Sequence, residues 1–145
     1  MILEWFKRRR AAAIEKRKKI EAKYTRELKF EWQQKYFQDI VFPIVIFNEN
    51  EDDYLAVYDL SEYYIDTDIC IWYVESHCEL VDSKGQKYDF KRLESGHWVA
   101  NQKTGIMEFE EFRNKIAPMI YLPEHKQDFN EKQTIKGIIE LLTNE

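Results

Sequence analysis

From Leu3 to about Gln38 the chain has no Gly or Pro and is dense in Ala, Glu, Lys, Arg and Gln, all good helix formers, so the pattern predicts one long helix. Its second half places Ile20, Tyr24, Leu28, Trp32 and Tyr36 at intervals of four residues. That spacing draws a slowly drifting apolar stripe along one face, suited to packing on a body. Lys7 to Lys19 offers only alanines and Ile14 between charges, which is little apolar surface to dock, and this half is expected to project. At ~1.5 Å per residue such a helix would be ~54 Å long, against a radius of gyration of ~13 Å for a body of ~110 residues.

Beyond the helix the period changes. Ile40 to Phe47 is β-branched and aromatic and reads as a strand, with Pro43 at an edge or bulge. Tyr54 to Tyr58 reads as a second strand after the polar loop Asn48 to Asp53. Asp59, with Glu62 three residues on, forms the cap pattern of a short helix through Tyr64. Ile69 to Val74 is the sharpest strand pattern, and Cys78 to Val81 continues it or forms another. The turn Asp82-Ser83-Lys84-Gly85 then leads into a strand from Lys87 to Leu93, with Gly85 supplying a positive φ. His97 to Ala100 is expected as a short final strand.

Two helices are expected to close the chain. Glu108 to Ala117 carries Phe109, Phe112 and Ile116 on one face and stops before Pro118. Glu131 to Leu142 aligns Ile135, Ile138, Ile139 and Leu142, with Asn130 as cap and Gln133 at the third position. The expectation is an α+β protein, with a mixed, mainly antiparallel sheet of four to six strands packed with helices. A long basic N-terminal helix (residues 1–39) precedes this α+β body (residues 40–145).

Charge sharpens that division. Residues 1–35 carry 12 Lys and Arg against 5 Glu, a balance of +7, and residues 36–145 carry 10 against 22, a balance of −12. A basic arm is thus joined to an acidic body, which is an argument about partners. The longest apolar run, Ile40 to Phe47, is far short of the ~18 residues of a membrane-spanning helix. Apolar residues Met1 to Phe6 precede the cluster Lys7 to Arg10, the reverse of a secretory signal. With only Cys70 and Cys78 for thiols, the expectation is a cytoplasmic location and reduced cysteines.

Candidate chemistry is sparse. Glu75, His77 and Glu79 would share one face of a continuous strand, where such a row suits a metal or acid–base work. The same face also suits plain solvation, and no second His lies at ligand spacing. Cys78 beside His77, with His97 further on, lacks the paired short spacings of a zinc site. Asn48, Asn50 and Asp52 alternate as calcium ligands do, but Asp53 stands where the loop needs Gly and Asp59 where it needs Glu. Phosphate-cradling glycine loops and nucleophile elbows are absent from the sequence. No catalytic residue, cofactor or metal is expected.

From Val57 to Phe90 the order is a strand ending in Tyr58-Asp59, a short helix Ser61 to Tyr64, Ile65 to Ile69, then Cys78-Glu79-Leu80-Val81-Asp82-Ser83-Lys84-Gly85. This run, about a quarter of the chain, resembles small uncharacterised bacterial immunity-type proteins, some of which guard a cell against a toxin. The resemblance implies a non-catalytic protein-binding module. The acidic body supplies a physical route, since complementary potential speeds association with a basic partner protein. Candidate contacts are Glu49, Glu51, Asp52, Asp53, Asp66 and Asp68.

The alternative places function in the arm. Leu3, Trp5, Phe6, Arg8, Arg9 and Arg10 combine aromatic and polybasic groups suited to a membrane surface, or to a scaffold or homo-oligomer built through the helix. Nucleic acid is disfavoured by the acidic body. A third reading is a metal-dependent or hydrolytic enzyme using Glu75, His77 and Glu79.

Overall fold

The computed structural model describes residues 2–50, 52–63, 77–120 and 123–143, with side chains over 5–17, 31–50, 52–63, 77–120 and 126–143. Helix α1 runs Ile2–Lys35, followed by strands β1 (Ile44–Asn48), β2 (Asp53–Val57), β3 (Cys78–Val81), β4 (Gln86–Arg92) and β5 (Trp98–Ile106). Helix α2 (Phe109–Ile116), a 3-10 turn (Ala117–Met119), α3 (Pro123–Glu131) and α4 (Ile135–Thr143) complete the order. The described strands form one sheet in the order β2-β1-β3-β4-β5, antiparallel throughout. The α+β architecture behind a long N-terminal helix is therefore as the sequence predicts. The predicted strand Ile69–Val74 lies outside the described residues, together with Glu51, Asp66, Asp68, Cys70 and Glu75.

Two apolar layers sandwich the sheet. On one face Ile44, Ile46, Cys78, Leu80, Phe90 and Val99 pack with Trp32, Phe37, Ile40, Leu60 and Tyr63. Across the sheet Val45, Phe47 and Val81 pack with Phe112, Ile116, Phe129, Ile135, Ile138 and Leu142 of the C-terminal helices. Every residue of β1 is buried, which explains its continuous apolar run: a strand covered on both faces has no solvent side to mark with polar residues. Pro43 does not sit in a strand at all. The strand begins one residue later, and it lies inside the sheet rather than at an edge, so a residue lacking an N–H is kept out of its ladder.

Helix α1 stops at Lys35, short of the predicted Gln38, with neither Gly nor Pro to stop it. The Phe37 N–H reaches back to Trp32 O at 3.0 Å, and the Phe37 ring is fully buried, 4.8 Å from Tyr63 and 6.1 Å from Trp32. Burying Phe37 and Ile40 outweighs continuing a polar helix, since a large apolar side chain contributes about 1.5–3 kcal/mol when buried. The cap prediction at Asp59 holds: the Glu62 N–H donates to Asp59 Oδ1 at 2.9 Å, and residues 60–63 are helical.

The β3–β4 turn is tied to the chain ahead of β1. Asp82 is fully buried, its Oδ1 accepting from the Lys84 and Gln86 N–H groups at 2.9 and 3.0 Å and its Oδ2 from Val41 N–H at 3.2 Å. Three backbone donors thus satisfy a carboxylate that burial would otherwise penalise. Ser83 adds an Oγ–H bond to Pro43 O at 2.6 Å. Gly85 has φ +86, and a Cβ there would lie 2.4 Å from Met107 O, so the predicted turn glycine is required twice, by conformation and by space.

Two further boundaries differ from those the sequence predicts. Strand β5 extends to Ile106, where a short strand ending at Ala100 is expected. Asn101, Gln102, Lys103 and Thr104 are all exposed, so no alternation announces the strand; its pairing with β4 makes it one, through register shifts near Tyr88. Exposed polar residues and Lys suit an edge strand. At the C-terminus a helix from Glu131 to Leu142 capped by Asn130 is replaced by two helices, and Asn130 lies inside α3. The cap of α4 is Thr134, whose Oγ1 accepts from Gly137 N–H at 3.0 Å. The buried stripe Ile135, Ile138, Ile139 and Leu142 is as predicted.

Candidate functional site

The basic arm and the acidic body differ in how they treat their large side chains. Trp32, near the end of α1, is 4% exposed and sits between Phe37, Tyr63 and His97 at centroid distances of 6.1, 6.2 and 5.5 Å. At the other end Trp5 and Phe6 are 53% and 57% exposed. Their rings meet edge to face at 5.0 Å, and the Arg9 guanidinium lies 5.1 Å from the Trp5 ring. Residues 5–12 are exposed all round, so the expected projection of this half is observed over them. Arg8 and Arg10 lie in that exposed span; the side chains of Leu3, Ile20, Tyr24 and Leu28 lie outside those described.

On the body, the loop joining β1 to β2 carries three of the predicted acidic contacts. Glu49 is exposed but paired with Lys115 at 2.5 Å, whose amine also lies 4.7 Å from the Phe47 ring centroid. That pair ties the strand end to α2 and neutralises the carboxylate within the molecule. Asp52 is exposed with φ +52, and Asp53 Oδ1 accepts from the Tyr54 N–H at 2.8 Å. Asn48 and Asp53 face each other as the paired ends of β1 and β2, a tight hairpin that leaves no 12-residue calcium loop running to Asp59.

Exposed carboxylates also lie on the C-terminal helical layer, interspersed with the cations Arg113, Lys115, Lys126 and Lys132. Glu108, Glu110 and Glu111 at the start of α2 and Asp128 and Glu131 on α3 are exposed, and none of these five forms an ion pair among the described residues. Arg113 joins the two helices, 3.5 Å from Asn130 Oδ1 and 5.8 Å from the Phe129 ring. These carboxylates sit on helices, whereas the acidic contacts expected from the sequence were all in loops. For Glu110 and Glu111 the signal in the sequence is the polar face of the predicted helix Glu108 to Ala117, away from Phe112 and Ile116.

The row Glu75, His77 and Glu79 is not assembled in the described residues. Glu75 lies outside them, His77 precedes β3 in a turn with Nε2 3.1 Å from Asn48 Oδ1, and Glu79 is half-buried within β3. The face expected to be a solvated outer one is covered at Val81 by the C-terminal helices. Cys78 is a buried thiol, and His97 stands apart in the β4–β5 turn with Nδ1 2.9 Å from Ser95 Oγ. Among the described residues no cluster of three His, Cys, Asp or Glu side chains is placed to hold a metal, and no helix is long and apolar enough to cross a membrane.

Two of the shallow depressions on the body are lined by described residues. One of about 440 Å³ is lined by Phe42, Pro43, Tyr58, Lys136, Glu140 and Thr143. The other, about 550 Å³, has Asp39, Asp82, Lys84, Tyr88, Lys103 and Ile106 on its walls. Burial, with the nearby carboxylates Asp82 and Asp39, pushes the Tyr88 phenol up to about 12. Burial also raises Tyr63 well above the ordinary tyrosine value, and its hydroxyl donates to Trp98 O at 2.5 Å. The polar groups so placed serve the fold: Asp82 is saturated by backbone donors and Tyr63 by a backbone acceptor. Against family models, curated proteins and solved structures the chain has no match.

Proposed function

We propose that this chain is a non-catalytic, immunity-type binding module whose acidic body engages a basic partner protein. The observation that carries this reading is the set of exposed carboxylates Glu108, Glu110, Glu111, Asp128 and Glu131 on one helical layer, held on α2 and α3, which share the apolar core behind them. Carboxylates fixed on helices that pack against the core keep their potential in place, which favours steering a partner of opposite charge and raises the association rate. Asp52 in the β1–β2 loop and Asp53 at the start of β2 carry the same sign of charge. Glu49, spent on Lys115, contributes less.

The test is capture from host-cell extract with the full chain as bait, read by quantitative mass spectrometry at low and high salt. A single basic protein held at low salt and released at high salt is expected. Glu108→Gln, Glu110→Gln and Glu111→Gln together should lower its retention at least about tenfold, because each removes attraction without changing shape. Trp5→Ala with Phe6→Ala should leave retention unchanged. Equal retention by the triple Gln variant would remove the acidic layer from the mechanism.

A further inference from the structure

We infer that the free end of α1 is a docking arm for an anionic lipid surface, reading it through one helical face. With 3.6 residues per turn, Trp5, Phe6, Arg9, Arg10, Ala13, Lys16 and Arg17 fall on one side of the helix. Lys7, Arg8, Ala11, Ile14 and Glu15 fall on the other. Four cations and both aromatic rings therefore share a face, and Glu15, the acid within residues 5–17, is turned away from it. Ala13 leaves the middle of that face small, so the backbone and the charges on either side approach a flat surface together. The aromatic pair sits at the tip, where amphipathic rings settle at the headgroup level while arginines and lysines meet anionic headgroups.

Charge placement argues the same way. Lys7 to Arg10 set four like charges in succession on α1. An anionic surface offsets those cations. The acidic body does not oppose this, because Trp5 and Trp32 are 27 residues apart on one helix, which is ~40 Å, against a Debye length of ~8 Å at physiological ionic strength. A second copy is a poorer occupant. Pairing two such faces would set Arg9, Arg10, Lys16 and Arg17 against one another where a helix pair needs apolar residues. A nucleic acid would be served by the cations alone and leaves the exposed ring pair without a role.

The experiment is co-sedimentation of the full chain with vesicles of phosphatidylcholine, with and without phosphatidylglycerol, alongside light scattering of the protein alone. The expected result is binding to the anionic vesicles at least about tenfold above the neutral ones, weakened by salt. Arg9→Glu with Arg10→Glu should abolish it, and Trp5→Ala with Phe6→Ala should reduce it at least about tenfold. Lys7→Glu with Arg8→Glu changes charge equally on the other face and should cost clearly less. Far-ultraviolet circular dichroism and unfolding midpoints should match wild type in all three. Each of these results overturns the inference: no binding; equal binding to neutral vesicles; equal losses from the two charge reversals; or a dimer in solution that the aromatic variant dissociates. Tighter binding to duplex DNA than to the anionic vesicles, abolished by the same Arg9 and Arg10 changes, also overturns it in favour of nucleic acid.

Discussion

Two tryptophans on one helix, 27 residues apart, meet opposite fates. Trp32 is 4% exposed and enclosed by aromatic rings, whereas Trp5 is 53% exposed beside Phe6 and Arg9. Both stand in runs of good helix formers, so local propensity is satisfied at both ends of α1. The difference arises from their neighbours along the chain. After Trp32 come Phe37 and Ile40, which carry the helix end into the sheet, while residues 7–19 offer no comparable apolar surface. A single secondary-structure element thus does two jobs, closing the core at one end and presenting an aromatic, basic tip at the other.

The largest expected effect lies at the buried end. Trp32→Ala should destabilise the body by about 3–5 kcal/mol, through lost burial and the cavity left among Phe37, Tyr63 and His97, read as a lower urea midpoint. Gly85→Ala comes next: at φ +86, with Met107 O 2.4 Å from the new Cβ and Ile135 Cδ1 3.0 Å away, it should cost about 2–4 kcal/mol. Because Gly85 belongs to the body, helical circular dichroism should outlast the near-ultraviolet signal of packed aromatics if α1 retains helix on its own.

Alkaline titration probes the aromatic body more gently. Tyr88 is raised to about 12, and burial raises Tyr63 well above the ordinary tyrosine value, while unfolded tyrosine titrates near ~10. Between these values the folded state holds protons that the unfolded state releases, so stability is fully present below pH ~10 and falls as pH rises toward about 12. Tyr63→Phe and Tyr88→Phe should each flatten that decline in unfolding experiments across this range. The smallest effect belongs to the exposed end. Trp5→Ala should change stability by no more than about 0.5 kcal/mol, and a loss comparable to that of Trp32→Ala would mean the arm packs on the body in solution.

Much of the architecture is set by the sequence through local rules. Helix formers without Gly or Pro predict α1, the β-branched run predicts β1, Asp59 and Gly85 predict a cap and a turn, and spacing predicts the buried faces of α2 and α4. Those features rest on propensity, periodicity and backbone conformation, all encoded within a few residues. The charge division between arm and body is likewise a property of the residue order alone.

Tertiary structure decided the outcomes that local pattern leaves open. It placed β1 inside the sheet with both faces covered, ended α1 at Lys35 to bury Phe37, and extended β5 through four exposed polar residues by pairing it with β4. The cap moved from Asn130 to Thr134 because residues 123–131 form a helix of their own. Glu49 was assigned to Lys115, and the carboxylates of α2 and α3 were left exposed. Except at the α4 cap, where Thr134 and Gly137 are three residues apart, the deciding partner lies beyond the local pattern, so no short window contains the interaction that selects the outcome.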